Sequence, residues 1–151
     1  MFFVGEGVAK KDLEKMVDEY NLNDCVKFLG LITDRSLLQL CFLRADLFLF
    51  PSLYDTSGIV VREAAAVKTP SLVIVDSNAA EGIEDNVNGF ISDNHEEAFA
   101  QRIIEIIGDR ENLKIVGEKA QKTIYRSWED IVDEVKLRYI ELIKSKNNKF
   151  I

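Results

Sequence analysis

Short apolar runs alternate along this chain with longer stretches in which apolar residues recur every three or four positions. The runs are FFV at 2–4, VKFL at 26–29, DLFLF at 46–50, SLVIV at 71–75 and FIS at 90–92. They are nearly unbroken by polar residues, as expected for strands buried on both faces of a parallel sheet. Between them, Leu13, Met16, Val17 and Tyr20 recur at helical spacing and predict a helix over 10–20. A second helix is predicted over 35–44, with Asp34 as its N-cap; Leu37, Leu38, Leu40, Cys41 and Leu43 cover most of its circumference, so it should be well buried. A third is predicted over 58–68. After residue 92 the strand pattern stops, and helices are predicted over 95–108, 111–126 and 128–146, with Asn94 and Ser127 as caps and Trp128 as a packing anchor. Alternating strands and helices imply an α/β fold: a Rossmann-like parallel sheet with helices on both faces, right-handed crossovers and a C-terminal run of helices. At least four strands and a fifth at 90–92 would share that sheet. FFVGEG reads as a buried strand with no lead-in, which suggests a chain that begins inside a longer protein.

Composition narrows the function classes. The chain has 151 residues, 47% hydrophobic and 30% charged, enough for one domain with a core. Its net charge of −7 argues against a nucleic-acid-binding surface. No apolar run approaches the ~20 residues needed to span a bilayer, and no secretory leader is visible. Cys25 and Cys41 lack metal-type spacing and read as reduced thiols of a cytoplasmic protein. His95 is the single histidine, so no metal site is expected. The basic tail, KSKNNKF, is expected to fray.

The chemistry concentrates in residues 51–66, PSLYDTSGIVVREAAA. A strand ends at Pro51, a polar turn brings Asp55, Thr56, Ser57 and Gly58 in succession, and an alanine-rich helix carries Glu63. In α/β proteins this order exposes unpaired helix N–H groups at the carboxyl end of a sheet, where anions bind. Ser57 is not flanked as a nucleophile would be, because GxSxG is absent. Gly5 and Gly7 bracket Glu6 in a tight turn that fits either close backbone approach to a ligand or a plain strand–helix connection.

The motif order VGEG, VKFLG, ADLFLFPSLYDTSGIVVREAAAVKTPSLV, an acidic loop, NGF and SW resembles the C-terminal, donor-binding domain of retaining glycosyltransferases of group 1, which have the GT-B architecture of two Rossmann-like domains. The resemblance covers nearly the whole chain. It implies that residues 1–151 form the nucleotide-sugar-binding C-terminal domain, lacking its first strand–helix unit, with the N-terminal acceptor domain absent. The family's Glu-x7-Glu matches Asp55 and Glu63 here. It implies Asp55 at the donor sugar as the catalytic-site acid, Glu63 on the nucleotide ribose, and Thr56, Ser57, Gly58, Ile59 and Val60 around the sugar and diphosphate. By the same resemblance Gly30 and Leu31 fall at the base, Gly5 and Gly7 at the glycine turn near the nucleotide, and Glu81 in an acidic loop close to the site. Aspartate replaces the usual first glutamate and reaches ~1.5 Å less far. Thr56-Ser57-Gly58 replaces a Gly-aromatic-Gly loop.

The implied activity is transfer of a sugar, with retention, from a nucleoside-diphosphate sugar to a glycan, lipid or other acceptor. UDP is the expected nucleotide and no metal or other cofactor is expected. The expected partners are the donor, the protein's own N-terminal domain and the acceptor. Membrane association would run only through the absent domain, and the fragment alone should be inactive. Two alternatives stand beside this: a nucleotide-sugar epimerase-like enzyme and a non-catalytic nucleotide-binding module.

Overall fold

The structure, a computed structural model, describes residues 1–147; of the tail expected to fray, 144–147 form the last turn of a helix instead, and the rest lies outside the described residues. The elements run β1 (Phe2–Val4), α1 (Lys10–Glu19), β2 (Lys27–Gly30), α2 (Arg35–Arg44), β3 (Phe48–Phe50), α3 (Ile59–Ala66), β4 (Ser71–Ile74), β5 (Phe90–Ser92), α4 (Glu96–Gly108), α5 (Arg110–Thr123) and α6 (Trp128–Asn147), with a 3-10 turn over Asn78–Ala80. Every predicted strand and helix is present, with ends displaced by up to about three residues.

The chain divides into two units, one from Met1 to Cys41 and one from Phe42 onward. The strands pair in parallel as expected, but in two sheets: β1 with β2, and β3-β4-β5. Apolar runs identify strands without saying which strand bonds to which, so the single sheet was beyond what the pattern could establish.

In the second unit β4 is central, with Leu72 opposite Leu49 and Phe90, and Val73 opposite Phe50 and Ile91. Successive side chains of a strand point to opposite faces, and the core follows that alternation. Val73 packs with Val61 and Ala65 of α3 and with Ala120 and Ile124 at the end of α5. Leu72 and Phe90 pack with Ile106 of α4 and with Leu113 and Val116 of α5. All four residues of β4 are buried, so the SLVI run reads correctly as a strand covered on both faces by helices. α5 comes close because it carries glycine at 117: a Cβ there would stand 2.2 Å from the Lys68 carbonyl oxygen.

The first unit is thinner. FFV was expected to be buried, yet all three residues of β1 are exposed, and Val17 is the one buried residue among residues 1–41. Phe3 stacks on Phe28 with ring centroids 5.0 Å apart. Two strands and α1 contribute too little apolar surface within this unit to cover both faces of the pair.

Capping follows local chemistry. Asp34 Oδ1 accepts from the Ser36 and Leu37 amides at 2.8 and 3.3 Å, as the N-cap reading predicted. Asp109 caps α5 through the Asn112 amide at 2.9 Å, and Ser127 Oγ accepts from the Asp130 amide at 3.1 Å. Asn94 does not cap α4; that position belongs to His95, which makes no side-chain cap. His95 is exposed and lies 2.8 Å from Glu97, in keeping with a surface residue.

Two expectations of burial are corrected. Helix α2 buries only Phe42, while Leu37, Leu40 and Leu43 are exposed. Trp128 is 75% exposed and anchors nothing, because no described residue covers that face of α6. An apolar circumference shows what a helix would gain by burial, not that a neighbour is there.

Candidate donor-binding site

The site grows from the end of β3. After Phe50 the chain leaves the sheet at Pro51, turns through Asp55-Thr56-Ser57, and enters α3 at Gly58. Gly58 is the N-cap and sits in the left-handed region, with φ 59° and ψ 31°. A Cβ on it would lie 3.1 Å from the Ala79 Cα, so glycine is required both by the turn and by the close approach of the segment after β4. The Gly58 carbonyl accepts the first helical bonds, from Val61 at 3.0 Å and Arg62 at 3.2 Å. Ile59 and Val60 therefore occupy the first turn, whose N–H groups have no intrahelical acceptor.

Asp55 is half-buried, and its carboxylate turns back into its own loop. Oδ2 accepts from the Ser57 amide at 3.3 Å and from the Gly58 amide. A one-carbon side chain closes such a turn readily, since aspartate bonds to backbone N–H groups two and three residues on. The Asp55 carbonyl is held from outside the loop: Asn78 Nδ2 donates to it at 2.8 Å. Asn78 opens the 3-10 turn after β4, so the loops at the carboxyl ends of two adjacent parallel strands are fastened together.

Helix α3 is seated by Val61, Ala64 and Ala65, all buried, and Glu63 is half-buried on the same helix. Arg62 Nη1 donates to the Ile124 carbonyl at 3.2 Å, which places its charge at the end of α5. The loop residues Thr56 and Ser57 are exposed. Residues 55–63 thus combine amide donors at a helix start with two carboxylates that accept hydrogen bonds from hydroxyls.

In the first unit, the structure brings together two further groups of predicted residues. The Gly5 amide donates to the Gly30 carbonyl at 2.8 Å, so the glycine turn and the end of β2 are neighbours. Glu6 reaches the same place: its Oε1 would lie 3.1 Å from a Cβ at Gly30, and it accepts from Lys10 Nζ at 2.9 Å. That contact holds the Lys10 ammonium above its ordinary pKa. Leu31 is 70% exposed and Gly7 is open, with nothing near its missing side chain.

The acidic loop after β4 is exposed at Glu81 and stapled by Asn88, which is buried. Asn88 Oδ1 accepts from the Glu84 amide at 2.7 Å, while Nδ2 donates to the Gly82 carbonyl at 3.1 Å and to Thr123 Oγ1 at 3.0 Å. A cavity of about 430 Å³ lies beside β5 and shares no residue with the 51–66 stretch. Its cation, Arg102, is already paired with both oxygens of Asp85, at 2.8 and 2.9 Å. Among the described residues no group of three or more His, Cys, Asp or Glu is placed to hold a metal, and no helix is long and apolar enough to cross a membrane.

Two features of the site escaped the sequence reading. The first is the Asn78 tether, whose only sequence signal is a small polar stretch, DSNAA, just after a buried strand. The second is the inward turn of Asp55; an aspartate two and three residues ahead of Ser57 and Gly58 was a usable turn signal.

Parallel strands covered by helices on both faces, with a glycine loop at their carboxyl ends, define an α/β architecture of Rossmann-like type. The comparison with known proteins makes this specific: residues 1–123 match the model of the family described as glycosyl transferases group 1, and the chain belongs to that family. It is 30% identical over 137 residues to D-inositol 3-phosphate glycosyltransferase of Mycolicibacterium smegmatis, covering 89% of this chain and 31% of that protein. The crystal structure of TarM superposes with a TM-score of 0.74 at 26% identity, covering 90% of this chain and 28% of that one. Anabaena HepE in complex with UDP-glucose gives 0.69 at 26% identity, over 80% of this chain and 34% of that one. The fold is therefore that of GT-B glycosyltransferases, and the chain spans about a third of the length of the curated relatives it matches.

Proposed function

We propose that this chain is the donor-binding part of a retaining glycosyltransferase that takes a nucleoside-diphosphate sugar, with UDP as the nucleotide. The observation that carries the proposal is the β3–α3 loop, which sets backbone N–H donors between Asp55 and Glu63. A plain anion site would not flank its donors with carboxylates. A sugar nucleotide presents diphosphate oxygens to the N–H groups and diols to the acids, so every group finds a partner. Solved structures of TarM with UDP and of HepE with UDP-glucose support the choice of ligand.

One oxygen of Asp55, Oδ2, now accepts from both the Ser57 and Gly58 amides. Donor binding exchanges these partners: the amides turn to the diphosphate and the carboxylate to sugar hydroxyls. Glu63 takes the ribose hydroxyls. The loop amides and the positive end of α3 then stabilise the charge that grows on the diphosphate as the bond from the sugar's anomeric carbon to phosphate oxygen breaks. The acceptor hydroxyl attacks from the same face, its proton passing to the departing phosphate oxygen. No metal takes part in this scheme. The acceptor, a glycan, a lipid or another hydroxyl compound, is met by the N-terminal domain of the whole enzyme, which the present residues serve as donor half.

Thermal-shift titration of the full-length protein with UDP, GDP and ADP tests the class; stabilisation by none of them would remove the proposal. Glu63→Ala should weaken binding of free nucleotide by about 1.5–3 kcal/mol, the worth of a charged hydrogen bond, whereas Asp55→Ala should leave free nucleotide bound and abolish most sugar transfer. Equal effects of the two changes on free nucleotide would contradict the division of roles.

A further inference from the structure

We propose that Asn78 is a positioning residue for the donor sugar, acting by holding the backbone at Asp55; this rests on the donor reading above. Asn78 bonds the Asp55 carbonyl, not its carboxylate. The backbone is thus fixed while the carboxylate stays able to exchange its loop amides for sugar hydroxyls. The tether has a firm base. Ser77, next to it, is buried and donates from Oγ to the Ile74 carbonyl at 2.7 Å, at the end of β4. Ala79, on its other side, is 2% exposed and belongs to the core cluster with Val61, Val73 and Ala65. Ala79 also meets Gly58 at the start of α3. One short segment after β4 therefore grips the β3–α3 loop at two points, Asp55 and Gly58.

The shortness of Asp55 gives this grip its importance. A carboxylate on one methylene has little freedom to compensate for a misplaced backbone, so the carbonyl tether decides where it points. Asn78 itself is exposed, and its loss leaves no cavity in the core. Its removal should loosen the loop without unfolding the protein.

The test compares Asn78→Ala, Asn78→Asp and Asn78→Gln with wild type in the full-length protein. Hydrogen exchange of the amides over 55–60 reports the tether directly. It should accelerate several-fold in N78A and N78D, and return towards wild type in N78Q, which keeps the amide donor. Calorimetric titration uses whichever of UDP, GDP and ADP the wild type binds, together with its glucose conjugate. The free nucleotide should bind N78A within about twofold of wild type, while the glucose conjugate should weaken about tenfold, as for one lost hydrogen bond. N78D should be the poorest, because a second carboxylate would face the Asp55 carbonyl and charge. Unchanged exchange in N78A overturns the tether. Equal weakening of nucleotide and conjugate overturns the link to the sugar. A wild-type protein that binds no nucleotide defeats the donor reading itself, whereas normal nucleotide binding with an indifferent N78A defeats the Asn78 assignment alone.

Discussion

Two turns at the ends of strands are built in opposite ways. The turn after β3 is fastened from all sides: Asp55 closes it on its own amides, Asn78 holds its carbonyl, and Gly58 lies against Ala79. The turn after β1 is held by backbone bonds from Gly5 to Gly30 and from Lys10 to Gly7 and by the exposed Glu6–Lys10 pair, with open space around Gly5 and Gly7. The difference continues beneath them. The first turn stands on β3 and β4, whose cores are covered on both faces; the second stands on β1, whose residues are all exposed. A loop can be pre-organised only where packed elements behind it fix its ends. The β3–α3 loop carries the residues assigned to diphosphate and sugar, for which geometry must be tight.

The largest test of this contrast is in the core. Leu72→Ala, at a fully buried position on β4, should lower stability by about 2–5 kcal/mol, whereas Val4→Ala on exposed β1 should stay within about 0.5 kcal/mol, both read by urea denaturation. Comparable losses would mean the two sheets are equally packed in the protein. Next comes Gly58→Ala, which forces an L-residue into the left-handed region against Ala79 and should cost about 1–2 kcal/mol with reduced nucleotide binding. Gly7→Ala, with nothing nearby, should shift the melting temperature little in either direction. A Gly58→Ala variant as stable as wild type would show that the loop can relax, against the fastened picture.

The smallest effect concerns Glu134 on α6, which is bonded to Arg126 and Arg138. Arg126 first, and Arg138 after it, hold the Glu134 carboxyl below its ordinary pKa. A depressed folded-state pKa means stability present above the ordinary glutamate value and lost as pH falls through the lowered one. The pair is solvent-exposed, so the change should be slight and should fade with salt. Circular dichroism of wild type and Glu134→Gln across the acidic range measures it; a larger acid loss in the glutamine variant would reverse the sign.

Much of the molecule is legible without coordinates. The SLVIV run reads as a buried strand, and β4 over Ser71–Ile74 is one. Asp34 and Ser127 read as caps because a short polar side chain ahead of a helix has only the free amides to bond, and both do so. The 51–66 stretch reads as a strand, a glycine turn and a helix in succession, and the structure has that order, with Gly58 at the helix start. Other readings fail for one shared reason: they needed a neighbour that sequence does not name. FFV, the leucines of α2 and Trp128 are apolar enough to be buried and are not.

The sequence by itself determined the elements, their parallel α/β class and the family, since periodicity, caps and motif order act over a few residues at a time. Only the tertiary structure decided which strands share a sheet, which apolar faces find cover, and that Asn78 grips Asp55 from 23 positions away. These depend on contacts between segments distant in the chain, where each partner alone looks like an ordinary residue. The resting direction of Asp55 joins the two levels: its short side chain allows the inward turn, and the packed segment after β4 holds the backbone that carries it.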